Sequence, residues 1–316
     1  VSTVNGTAAL HASMYAAGVR SGEVVITQSL TFVATCNAIH HMGAQPLFID
    51  VSKSTMGLCP NALESFMEDN AFLDTDGSFL KSSKERIRAV IPMHTYGHPV
   101  ELDEIATICK KWKLVLIEDA AESFGSFYKG KHTGTIGEFG AISFNGNKII
   151  TTGGGGAVLC SSQDSKKIVK HLTTTAKVPH PYEFYHDVAG FNYRMPNLNA
   201  ALGVAQLESL NSYLTRKRQL AMHYKAFFKD GEYSFFDEPK NTKSNFWLNT
   251  IVCSDIDSRN NLLEKANSSG VMMRPVWTPM HKLPAFKNAL KGDLSNTMWL
   301  ASRLVNLPSS PIEAEL

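Results

Sequence analysis

Leu114-Val115-Leu116-Ile117-Glu118-Asp119 is a short apolar run that ends on two carboxylates. Aliphatic residues in succession fit a strand covered on both faces, the kind that lies inside a mostly parallel sheet. Asp119 then falls at the carboxyl end of the strand, the edge of an open α/β sheet where ligands bind. There it could pair with a buried cation, such as a protonated ring nitrogen, or simply cap the segment that follows.

Outward from this run the same pattern repeats. Apolar runs rich in branched residues occur at Val24 to Thr27, Gln45 to Val51 and Arg88 to Met93. Helical spacing lies between them: Leu10, Met14 and Ala17 share a face after Asn5-Gly6, and Leu102, Ile105, Ile108 and Cys109 share another after Pro99. The alternation predicts βαβ units from Gly6 to about Tyr128. Residues 139 to 160 read as two strands, Gly140 to Phe144 and Ala157 to Cys160, around a tight turn and the glycine run Gly153 to Gly156. One long amphipathic segment, Asn197 to Phe228, comes next. A strand (Phe246 to Cys253), a helix (Ser258 to Asn267) and a strand (Val271 to Val276) then predict a smaller α+β unit. The expected division is a large domain over 1–214 and a small one over 215–316.

The 316 residues, 43% hydrophobic and 19% charged, are enough for a sizeable core. A net charge of +2, with Lys and Arg scattered rather than blocked, argues against a nucleic-acid partner. No apolar run approaches the roughly 20 residues that span a bilayer, so no membrane partner is expected. The five cysteines are widely spaced without a C-x-x-C pair, which predicts reduced thiols in a cytoplasmic protein and no metal site. Val1 is not an initiator residue, so a preceding segment is expected. The chain also stops soon after Ser310, where more small-domain sequence is expected.

Several segments carry chemistry. Asn5-Gly6-Thr7-Ala8 opens a helix, where backbone N–H groups and the Thr7 hydroxyl can cup an anion or serve merely as a cap. Ser143-Phe144-Asn145-Gly146-Asn147-Lys148 sets a hydroxyl and a lysine after a strand, within reach of a common ligand. Lys148 runs into Ile149-Ile150 and the glycine run, a poor context for a solvated surface charge, and burial would favour the neutral amine that attacks a carbonyl. Phe32 is either a core aromatic or a ring that stacks on a ligand. The glycine run lacks a following Gly-Lys-Ser/Thr, and no G-x-G-x-x-G opens the first unit, so neither a phosphate loop nor a nicotinamide site is indicated.

Taken in order, Asn5 to Leu10, Thr31 to Thr35, Glu118 to Ser123, Ser143 to Lys148, Thr152 to Gly156, Asn192 to Pro196 and Arg274 to Trp277 resemble the DegT/DnrJ/EryC1/StrS sugar aminotransferases. The resemblance implies a fold-type-I pyridoxal-phosphate enzyme: a mostly parallel central sheet between helices, with a smaller C-terminal α+β domain. It implies that Lys148 holds the cofactor as a Schiff base and shuttles protons, while Asp119 keeps the pyridine nitrogen protonated. By the same resemblance Phe32 stacks on the ring, and Thr7, the Ala8 backbone and Ser143 contact the phosphate. Asn192 would reach the phosphate of a neighbouring subunit, in a homodimer with shared active sites. Arg194, Lys177, His180 and His281 lie in segments placed near the substrate cleft. Two positions depart from the pattern: Glu122 stands where glutamine is common, facing the cofactor's phenolic oxygen or the substrate, and Gly154 where many members carry glutamate.

His171 to Lys177 and Pro196 to Ala201 look most like the subgroup acting at C4 of nucleotide-linked 4-keto-6-deoxy sugars, as in legionaminic-acid and bacillosamine synthesis. The implied reaction moves an amino group from L-glutamate to such a sugar, with UDP-4-keto-6-deoxy-N-acetylhexosamine the expected substrate, for lipopolysaccharide or other glycan synthesis. The alternatives are a C3 aminotransferase, a dehydratase of the same scaffold, which would carry histidine in place of Lys148, and a silent sugar-nucleotide-binding homologue.

Overall fold

The computed structural model describes residues 1–310. Its main sheet runs in the order Ser2–Thr3, Gly156–Cys160, Phe139–Ser143, Val115–Asp119, Arg86–Ile91, Val24–Gln28, Gln45–Ile49 and Leu290–Lys291. From Phe139–Ser143 through Leu290–Lys291 every neighbouring pair is parallel, whereas Gly156–Cys160 is antiparallel to both of its neighbours. The expected α/β class with a mostly parallel sheet is what the chain forms.

The period of the strands explains the two layers of core. Val24 and Ile26 face one side, against Leu63 and Met67 of helix Pro60–Asn70 and Ile105 and Ile108 of helix Leu102–Lys111. Val25, between them, faces the other side, with Leu10 and Met14 of helix Gly6–Ala16, Ala38 and Ile39 of helix Val33–His41, and Val169 of helix Gln163–Thr173. Successive strand side chains point to opposite faces, so one apolar run supplies both layers. Helix Gly6–Ala16 is buried nearly throughout its length, and Asn5 caps it by accepting from the Ala8 N–H at 2.7 Å.

Four elements differ from the sequence reading. A hairpin, Ala71–Asp74 with Gly77–Leu80, extends the sheet beside Arg86–Ile91, in a stretch to which the sequence reading assigns no strand. The amphipathic stretch 197–228 is two helices, Asn197–Glu208 and Leu210–Phe227, meeting at Ser209. The strand expected from Phe246 begins only at Asn249, because Phe246 takes a left-handed φ of 47°. The strand expected over 271–276 shrinks to Arg274–Pro275, since proline lacks the N–H that a longer ladder needs.

Beyond the helices lies a second, four-stranded antiparallel sheet in the order Ser234–Phe235, Asn249–Val252, Leu304–Leu307, Arg274–Pro275, with helix Ile256–Ser268 against it. Helix Leu210–Phe227 crosses residue 214, where the expected domain boundary falls, and residues 311–316 of the expected small domain lie outside the described residues. Leu290–Lys291 returns to pair with Gln45–Ile49.

Candidate active site

The carboxyl edge of the main sheet collects the chemistry. Val115–Asp119 ends on Asp119 and Phe139–Ser143 ends on Ser143, while helix Gly6–Ala16 aims its amino end at the same edge. Gly6 permits that approach: a Cβ there would stand 2.8 Å from Ser143 Cβ. The result is a cavity of about 270 Å³ lined by Thr7, Phe32, Asp119, Glu122, Ser143 and Lys148, among others.

Asp119 is buried with both oxygens engaged. Thr35 Oγ1 donates to Oδ2 at 2.7 Å, and the Ala121 N–H donates to Oδ1 at 3.2 Å. Burial nevertheless pushes its carboxyl above the usual aspartate range, against those hydrogen bonds and the charge of Lys148. A cationic partner within the cavity would relieve that cost.

Lys148, 12% exposed in its side chain, directs Nζ at Glu122 Oε1, 3.5 Å away, and lies 4.0 Å over the Trp247 ring. Trp247 is fixed by its indole N–H, which donates to the Asn147 carbonyl at 2.7 Å. Glu122 is buried; Oε2 accepts from the Tyr96 N–H at 3.0 Å, and Oε1 has no hydrogen-bond partner. Burial pushes the Glu122 carboxyl up to about 7, opposed by Lys148 and the Tyr96 amide. Phe32, 45% exposed, turns its ring beside Trp277 at 6.0 Å.

Beneath the cavity, Glu118 is a structural counterpart to Asp119. It accepts N–H donors from Gly134, Ile136 and Gly137, each at 2.7 Å. The Val100 N–H donates to His94 Nδ1, which leaves Nε2 to carry the proton it donates to Glu118 Oε2 at 3.0 Å.

Other expected contacts lie apart from the cavity within one chain. The Ala8 N–H is already used by Asn5. Asn192 is exposed and accepts from Arg194. Lys177 lies over Phe184, and His180 Nδ1 accepts from the Glu183 N–H, both on the exposed segment after helix Gln163–Thr173. His281 Nδ1 pairs with Ser29 Oγ at 2.7 Å. Thr35, Tyr96 and Trp247 were not singled out from the sequence. Thr35 stands four residues after Thr31 on the segment bearing Phe32, but nothing local marks Tyr96 or Trp247.

These residues fit pyridoxal phosphate. A helix amino end narrowed by glycine against Ser143 suits a phosphate, and a buried carboxylate whose charge is unfavoured suits a protonated pyridine. The orphaned Glu122 oxygen and the amine of Lys148 face the space between. Fold and site together define a fold-type-I pyridoxal-phosphate enzyme.

Comparison with known proteins agrees. Residues 1–314 match the model of the DegT/DnrJ/EryC1/StrS aminotransferase family, and the chain belongs to that family. GDP-perosamine synthase of Escherichia coli O157:H7 is 34% identical over 97% of this chain and 79% of the relative. A Bacillus subtilis (strain 168) protein provisionally named a pyridoxal phosphate-dependent aminotransferase, EpsN, is 37% identical over 90% of this chain and 71% of the relative. Among solved structures, a DegT/DnrJ/EryC1/StrS aminotransferase from Brucella abortus superposes with a TM-score of 0.89 at 25% identity, covering 100% of this chain and 82% of that one. The protein is thus a pyridoxal-phosphate-dependent sugar aminotransferase. No helix among the described residues is long and apolar enough to cross a membrane.

Proposed function

We propose that the chain transfers an amino group from L-glutamate to C4 of a nucleotide-linked 4-keto-6-deoxy sugar, with Lys148 as the reacting amine. The observation that carries this reading is the convergence of Lys148, Asp119, Ser143 and Thr7 on one small cavity. Bound there, pyridoxal phosphate would supply an aldehyde that captures amines and a pyridinium ring that accepts electrons from the adjacent carbon.

Each residue then has a part. Thr7 and Ser143 hold the phosphate, with the Ala8 region of the helix end behind them. Phe32 would cover the ring, and Asp119 would pair with its nitrogen and favour the protonated form. Lys148 would hold the cofactor, and its Nζ is the atom at which a proton could be held and moved. A sugar-nucleotide diphosphate needs cations, and Arg194, Lys177, His180 and His281 are the candidates. Asn192, Arg194, Lys177 and His180 are exposed and do not line their own chain's cavity, an arrangement suited to serving a second subunit in a homodimer. Five unpaired cysteines and nucleotide-linked substrates fit a cytoplasmic enzyme.

The sequence favoured a UDP-linked N-acetylhexosamine, while relatives that bear the name GDP-perosamine synthase favour a GDP-linked sugar. Incubation with glutamate and UDP-, GDP- or dTDP-linked keto sugars, read by product mass and NMR, decides between them. Purified protein with pyridoxal phosphate should show a visible absorbance band that borohydride abolishes, labelling the Lys148 peptide. Lys148→Ala should lack the band and the activity. A variant that keeps both overturns the reading.

A further inference from the structure

The Glu122 carboxyl is held so that one oxygen is pinned and the other is left facing an amine. Its Oε2 takes the Tyr96 N–H, whereas the buried Oε1 has no hydrogen bond and lies 3.5 Å from Lys148 Nζ. Tyr96 reaches it at a cost. Its φ of 57° and ψ of 17° are left-handed, a conformation that is strained for a bulky residue and persists only where packing imposes it. Here packing does impose it. The fully buried ring lies 4.9 Å from Trp277, and its hydroxyl accepts from Asn306 Nδ2 at 3.0 Å. In turn, Asn306 accepts from Thr250 at 2.7 Å, which ties the arrangement to the four-stranded sheet.

We propose that Glu122 is the group with which Lys148 exchanges its proton, and that Tyr96 is the positioning residue that aims it. The inference rests on the reading of Lys148 as the reacting amine. In the exchange the Lys148 ammonium gives one proton to Glu122 Oε1: the N–H bond breaks as the O–H bond forms, and a neutral amine with a free electron pair remains. The reverse transfer restores the ammonium, and no other reactant enters.

The surroundings suit this exchange. A carboxyl pushed up to about 7 can hold or release a proton near neutral pH, and the groups that act on it are few. Lys148 and the Tyr96 amide favour its charge, Asp119 opposes it, and the Tyr96 hydroxyl is turned away to Asn306. Glutamine at this position could still hold the Tyr96 amide but could take up no proton.

Cofactor-free protein allows a test independent of turnover. An amine-selective acylating reagent, applied from about pH 6 to about pH 10 with peptide mass analysis, reads the free amine at Lys148. In Glu122→Gln, labelling of Lys148 at neutral pH should rise, because a neutral carboxamide no longer favours the ammonium. Infrared titration of the unaltered protein should show a protonated-carboxyl band that fades through about pH 7. Asp119→Asn should keep that band and Glu122→Gln should lack it. Tyr96→Ala should move its midpoint, and Tyr96→Phe, which keeps ring and backbone, should restore it. Superimposable labelling of Glu122→Gln and the unaltered protein, or a band that survives in Glu122→Gln, overturns the exchange. Equal behaviour of Tyr96→Ala and Tyr96→Phe overturns the positioning role. Persistence of the cofactor absorbance in Lys148→Ala would instead defeat the parent reading and leave these measurements standing.

Discussion

Two adjacent carboxylates, Glu118 and Asp119, show how one strand end serves structure and chemistry at once. Asp119 points into the cavity, and its worth lies in charge rather than shape. Asp119→Asn should therefore still fold but turn over roughly 10²-fold more slowly, the scale of a charge-assisted hydrogen bond, as steady-state kinetics would show. Glu118 points away and organises the Gly134–Gly137 turn. Burial alone would raise its pKa, but hydrogen bonds from His94, Gly137 and Gly134 outweigh that and hold it below the usual range. A carboxylate depressed in the folded state stabilises fully above its unfolded pKa and loses that contribution as pH falls through the folded value. Denaturant midpoints should therefore fall below about pH 4.5, the ordinary glutamate value, and Glu118→Gln should cost about 1–3 kcal/mol at neutral pH, from buried N–H donors left without a full acceptor, and flatten the acid limb. Lys148, Asp119, Ser143 and Phe32 were legible in the sequence because each sits in a short local motif. Tyr96 and Trp247 were not, because their parts arise from a strained φ and from contacts between positions far apart in the chain, 100 residues for Trp247 with Asn147 and 210 for Tyr96 with Asn306.

Among the elements, those with an unambiguous period were legible to within a residue or two, such as Val24–Gln28, Val115–Asp119 and Leu102–Lys111. The ladder-poor pieces were less legible: the strand read over 271–276 is only Arg274–Pro275, and Leu290–Lys291 was not read at all, since both span two residues and are set by tertiary pairing rather than local preference. Helix Gly6–Ala16 carries the element-scale argument. It closes on Phe139–Ser143 only because position 6 lacks a side chain, and Gly156 admits the Asn5 backbone in the same way, where a Cβ would stand 2.6 Å from it. Gly6→Ala should push the helix end off Ser143 at a cost of about 1–3 kcal/mol, raising the dissociation constant for pyridoxal phosphate about tenfold or more. Fluorescence titration measures this, and unaltered affinity would remove the helix end from the phosphate site.

On the scale of the whole molecule, the apolar surface is distributed unevenly. Helix Asn197–Glu208 is rich in Leu, Ala and Val, yet Gly203 alone among its residues is buried, and Leu198 stands 87% exposed. Tyr182, Phe184 and Tyr185, on the segment bearing His180, are exposed as well. Apolar surface on this scale is covered in a stable protein, and a second copy related by a two-fold axis is the simplest cover. That arrangement would also give Asn192, Arg194, Lys177 and His180 a site to act on. The sequence pattern predicted an amphipathic segment here, but not that the apolar residues of its first half would stay exposed while Asn199 and Gln206 hold the 151–154 loop. Sedimentation should accordingly report twice the 34.7 kDa chain mass. Leu198→Asp should shift the population toward single chains and lower activity in parallel, because exposed cations on one chain would no longer meet the cavity of the other. A monomeric parent protein, or a monomeric variant with full activity, would show that each chain builds its substrate site alone.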